Sequence, residues 1–166
     1  AFALGLTACA STSVEQYRAE TPVLDLKTYF NGTLDAWGMF QGRSGEVKKR
    51  FRVVIDARWD GDTGVLDERF TWSDGTTSTR IWTLKRQPDG SFRGRADDVI
   101  GEAVGEVAGN ALRWRYVLAL PVDDKIYHVD FDDWMFLMDD KVMLNRSYMS
   151  KWGIGLGEVT LTFVKR

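Results

Sequence analysis

Between Val47 and Trp59 the odd positions Phe51, Val53, Ile55, Ala57 and Trp59 are apolar, and Lys48, Arg50, Arg52, Asp56 and Arg58 alternate with them. A period of two marks a strand with one face turned to an interior. Leu66, Phe70 and Trp72 repeat the pattern with Glu68 among them, and Leu112, Trp114, Tyr116 and Leu118 repeat it against Arg113 and Arg115. Turn signals punctuate the chain at Asn31-Gly32, Asp60-Gly61, Asp74-Gly75, Pro88-Asp89-Gly90 and Gly109-Asn110. Strands joined by short turns pair with their sequence neighbours, and closing such a meander removes its exposed edges. The pattern predicts an all-β chain forming a single antiparallel up-and-down β-barrel of roughly 8 to 10 strands. A β-sandwich is the alternative. Gly101 and Gly105 interrupt the strand expected over 97–107, which points to a barrel corner or to an opening for a ligand.

The stretch from Ile126 to Trp152 reads as one long hairpin. A two-residue turn at Asp139-Asp140 puts Leu137 opposite Val142, Met135 opposite Leu144, Asp133 opposite Arg146 and Phe131 opposite Tyr148, all on one face. That face is apolar except for Asp133 and Arg146. The pair is either a structural salt bridge that fixes register or part of a clamp in which Arg146 and Tyr148 hold an anionic head group. In the clamp reading Trp37, Phe131, Met135 and Leu144 are wall residues around an acyl chain. The Arg146-Ser147-Tyr148 triplet resembles the Arg-x-Tyr arrangement of intracellular fatty-acid-binding barrels.

Composition adds limits. The chain has 166 residues, 44% hydrophobic and 13% aromatic, enough for one domain with a sizeable core. A net charge of −2, with no basic stripe beyond Lys48-Lys49-Arg50, argues against nucleic-acid binding. One cysteine and one histidine give no disulfide framework and no His-rich metal site, and no cofactor is implied. His128 with Asp130 are read as ordinary sheet neighbours rather than an acid/base pair, so the balance leans away from an enzyme.

At the N-terminus Leu6-Thr7-Ala8-Cys9 has the form of a bacterial lipobox, followed at once by polar residues. Residues 1–8 are then a remnant of a signal peptide, 9–28 a lipid-anchored tether and capping segment, and 29–166 the barrel. Cys9 is the expected lipidation site. Ala10 after it points to the outer membrane, facing the periplasm.

Tyr29-Phe30-Asn31-Gly32 with Ala36-Trp37-Gly38, Leu66 with Glu68 and Phe70, Arg80 with Trp82, the run Gly94 to Gly101, Asp133-Trp134-Met135 and Asn145-Arg146-Ser147 together resemble a family of single-domain proteobacterial lipoproteins of uncharacterised function. The resemblance implies a lipocalin-like (calycin-like) barrel. It also implies lipid business at the envelope, since members of that family accompany genes for fatty-acid modification. The function expected is an envelope lipoprotein that binds a lipid or other hydrophobic molecule inside the barrel. An interaction or scaffold module without ligand is the alternative, and a barrel enzyme acting on lipids ranks below both.

Overall fold

A computed structural model describes residues 12–166, and Cys9 with the expected lipobox lies outside the described residues. Ten strands follow one another: β1 (Gly32–Gly42), β2 (Val47–Asp60), β3 (Thr63–Trp72), β4 (Thr77–Arg86), β5 (Phe92–Arg95), β6 (Val99–Ala108), β7 (Ala111–Val122), β8 (Lys125–Leu137), β9 (Val142–Lys151) and β10 (Ile154–Lys165). Each pairs antiparallel with its sequence neighbours, and β1 pairs with β10, so the sheet closes on itself. The barrel expectation holds, and the sandwich is set aside.

The period-two runs of β2, β3 and β7 turn their apolar positions inward. Val53, Ile55, Leu66, Phe70, Leu112, Trp114 and Leu118 join one continuous core with Leu34, Ala36 and Phe163. Burying a side chain such as Leu34 or Ile55 completely contributes about 1.5–3 kcal/mol. The two strand glycines have different reasons. Gly101 adopts φ +68 where the β6–β7 ladder changes register between Ile100 and Val104, which is a bulge. Gly105 instead makes room, because a Cβ there would come within 2.5 Å of the Trp114 ring, and Gly94 holds the other side of the same indole.

A short helix, α1 (Leu26–Tyr29), is capped by the Asp25 carboxylate, which accepts from the Thr28 N–H at 2.7 Å. It stoppers one end of the barrel. Leu26, Tyr29 and Phe30 join the core, the Trp59 indole donates to the Phe30 carbonyl at 2.7 Å, and Lys165 Nζ donates to the Tyr29 carbonyl at 3.0 Å. Further upstream a single 3-10 turn (Val14–Tyr17) lies against the outside of the wall, where Val14 and Tyr17 pack on Trp134 and Phe136.

The β8–β9 hairpin corrects the expected register. Asp133 faces Ser147, Met135 faces Asn145 and Phe131 faces Met149, while Arg146 stands beside Trp134. The loop is one residue longer than a two-residue turn, since Met138 donates its N–H to the Val142 carbonyl. Asp139 Oδ1 accepts from the N–H groups of both Lys141 and Val142, and the Lys141 carbonyl is taken by the Tyr29 hydroxyl and by the N–H of Lys165. These bonds draw Lys141 out of the ladder. A slip of one residue moves every β9 side chain to the opposite face.

Candidate functional site: a cavity with a buried ionic belt

A cavity of about 660 Å³ occupies the barrel interior, within the range of small-molecule sites. It runs from Leu26 and Phe30 at the stoppered end to Phe40, Lys49, Trp72 and Val122 at the other, where the rim meets solvent. Most of its wall is aromatic or aliphatic. Phe70 stacks on Trp72 with ring centroids 5.5 Å apart, and Tyr116 stacks on Phe131 at 5.0 Å with Trp82 edge-on to the tyrosine.

A polar belt crosses this apolar wall at mid-height. Strand alternation puts Glu68 inward between Leu66 and Phe70, and the β3–β4 register sets it opposite Arg80. Arg80 donates from Nε and Nη2 to the Asp98 carboxylate at 2.7–3.0 Å, while its Nη1 lies 3.8 Å from Glu68. The bond to Asp98 also has a structural role. The β4–β5 ladder covers only Thr83–Arg86, so the upper half of β4 has no strand partner on that side, and Arg80 reaches across to the link between β5 and β6. On the other side of the cavity stand Tyr116, Asp133, Asn145 and Ser147. Asp133 and Asn145 are each 5% exposed, and Asp133 Oδ1 and Asn145 Oδ1 accept no hydrogen bond among the described residues.

Burial dominates the ionisation of this belt. It pushes the Glu68 carboxyl up to about 7, with Arg80 pulling it down and Asp98 and Asp133 adding to the rise. Burial likewise pushes Asp133 up to about 7, against the nearby hydroxyls of Ser147 and Tyr116. For Arg80 burial works against the cation, yet the Asp98 bond and the Glu68 charge outweigh it and raise its pKa. The belt therefore holds one permanent cation and two carboxyls poised near neutrality.

Residues 3–165 match the family described as proteins of unknown function DUF3833. The chain belongs to the DUF3833 family. No curated protein matches the sequence. Among solved structures it is similar to an S-type phycobiliprotein lyase from Guillardia theta, with a TM-score of 0.55 at 9% identity over 83% of this chain and 89% of that one. It is also similar to lobster apocrustacyanin A1, with a TM-score of 0.42 at 11% identity over 85% of this chain and 63% of that one. At 9% identity the likeness to the lyase is one of fold alone, a closed antiparallel barrel.

This DUF3833 chain divides the residues expected to form the site. Asp133, Phe131 and Met135 line the cavity. Arg146, Tyr148, Leu144 and Trp37 do not: all four lie on the outer surface, with Tyr148 43%, Leu144 43% and Trp37 49% exposed. The hairpin register explains the first three. Arg146 donates to Glu158 at 2.6 and 2.9 Å and lies over the Tyr148 ring, far from any clamp with Asp133. Trp37 shares its strand parity with Asp35, whereas Leu34 and Ala36 point inward, and it sits under the Arg52 guanidinium instead. Sequence reasoning did not assign Arg80, Asp98 or Tyr116 to the site. A usable signal existed in Glu68, a carboxylate at an inward position of a strand, which requires a buried partner.

Proposed function

We propose that this chain binds a hydrophobic small molecule, a lipid or a compound of similar character, inside the barrel. The observation that carries the reading is the cavity itself: about 660 Å³, walled by aromatic and aliphatic side chains and reaching a solvent-exposed rim. A barrel folded only as a scaffold gains by filling such a space with side chains, because unfilled apolar volume costs stability. We further propose that Cys9 is acylated and that binding takes place at the bacterial envelope, on the outer membrane facing the periplasm; support for this lies in the Leu6-Thr7-Ala8-Cys9 sequence.

Titration with the environment-sensitive dye N-phenyl-1-naphthylamine tests the first part. Saturable fluorescence enhancement at micromolar dye, competed by native envelope lipid extract, is expected; a folded protein that leaves the dye dark overturns it. Membrane fractionation of wild type and Cys9→Ser tests the second part, with release of the variant into the soluble envelope fraction expected.

A further inference from the structure

The polar belt constrains what the ligand carries. We propose that the cavity takes a hydrophobic molecule whose buried polar group donates hydrogen bonds, a hydroxyl, an amide N–H or an amine, and disfavours carboxylates and phosphates. The inference rests on the hydrophobic-ligand reading and names its ligand class.

Two independent observations lead to it. The first is a pair of acceptor atoms left without a hydrogen bond among the described residues, with the Ser147 and Tyr116 hydroxyls standing near the Asp133 carboxyl. Asp133 Oδ1 and Asn145 Oδ1 are buried in the cavity wall, brought close by the hairpin register that sets Asp133 against Ser147 and Asn145 against Met135. A buried acceptor left unmade is costly, and a carboxylate oxygen accepts with roughly twice the strength of a neutral one. A donor on the ligand answers both atoms, and an anion answers neither.

The second is the charge balance of the wall. Glu68, Asp98 and Asp133 face the cavity against Arg80, and the Arg80 guanidinium is already held by Asp98 with Glu68 beside it. Lys49, at the rim, pairs with Asp74 at 3.1 Å and lies over the Trp72 ring. A carboxylate brought to mid-height meets three acids for one engaged cation. An ammonium or hydroxyl meets acceptors. The poised carboxyls Glu68 and Asp133 gain further by ionising beside a cationic ligand. Apolar wall above and below the belt, Phe51 and Trp72 on one side and Leu66 and Met135 on the other, holds the remainder of the molecule whatever its end group.

The test is competition against bound N-phenyl-1-naphthylamine at pH 8.5 by four twelve-carbon competitors that differ at one end: dodecylamine, dodecanol, methyl dodecanoate and dodecanoate. Dodecylamine and dodecanol are expected to displace the dye at concentrations at least tenfold below those needed for dodecanoate, with the acceptor-only ester weaker than the alcohol. Asp133→Asn is expected to shrink the amine-to-carboxylate ratio at least fivefold, and Asn145→Ala, a second variant in case the first fails to fold, to shrink the alcohol-to-ester ratio. Arg146→Ala, outside the barrel, serves as the control. Dodecanoate competing as well as dodecanol overturns the proposal, as do ratios unchanged in both folded variants, and either result leaves the hydrophobic-ligand reading standing. Failure of folded wild type to bind the dye at all overturns both.

Discussion

Two arginines in this barrel have the same partner chemistry and opposite surroundings. Arg146 projects from the outer face of β9, more than half exposed, and donates two hydrogen bonds to Glu158 on the next strand. Arg80 projects from the inner face of β4, donates to Asp98 and stands beside Glu68 in a wall built of aromatic rings. Water competes for the first pair and screens it. The second keeps less water, with the Arg80 side chain 22% and Asp98 39% exposed, so its worth depends more on its partners being present. An ion pair read from sequence has no meaning for function until the face of the sheet is known.

Breaking the inner pair should therefore have the largest effect. Arg80→Leu leaves Glu68 and Asp98 without their cation and removes the link across the unpaired half of β4, and a loss of about 1.5–3 kcal/mol in urea denaturation is expected. Adding Glu68→Leu to that variant should restore part of it, and a double-mutant cycle with no coupling would show that the pair is not the unit described here.

The pH dependence comes next. The folded-state pKa values of Glu68 and Asp133, about 7, exceed the ordinary carboxyl values near 4, so the folded state binds more protons between them. Stability from these groups is complete below pH about 4, falls as pH rises through 4 to 7, and is flat above. At roughly 1.4 kcal/mol per unit the fall is on the order of a few kcal/mol per group. Asp133→Asn should flatten the slope between pH 4 and 7 by up to about one proton; an unchanged slope would place the titrating group elsewhere. Groups around Glu68 and Asp133 include Arg80, Asp98, Tyr116 and, on the outer side of β8, Asp132; Asp98 raises Glu68 and Asp132 raises Asp133, which keeps the sign of the effect.

Smaller is the expected effect of Asp139→Ala, which removes the acceptor for two loop N–H groups. It should lower the urea midpoint by less than Arg80→Leu does and increase hydrogen exchange at Lys141 and Val142. Smallest of all is Arg146→Ala, expected to change neither the midpoint nor dye binding beyond error. A clear loss of binding in that variant would return the ligand to the outer face and break the comparison.

The strands were legible where one rule sufficed. In β2 and β7 long alternating runs leave one parity for the core, and the Asp-Gly pairs and Gly109-Asn110 mark where the chain reverses. Residue β9 parity was not, because both of its faces mix apolar and polar side chains: Val142 and Leu144 against Met143 and Met149, Arg146 against Asn145 and Ser147. Loop length alone decides such a strand, and here it is set by contacts from α1 and β10 that are distant in sequence. The belt was hidden for a related reason. Glu68, Arg80, Asp98, Tyr116 and Asp133 come from separate segments, and their convergence exists only once the ring has closed.

Closure also sets an order on how the chain acquires its structure. Asp35 on β1 is bound by Arg166, 131 residues away, and Ala36 pairs with Phe163, so the seam of the barrel joins the first strand to the last. Local hairpins along the meander need only short loops, but this seam closes a loop of more than a hundred residues and carries a larger closure entropy than any of them. During synthesis β1 waits with one edge open until β10 has emerged. That interval is when the protein is most exposed to pairing with the wrong strand, and when a chaperone has most to protect.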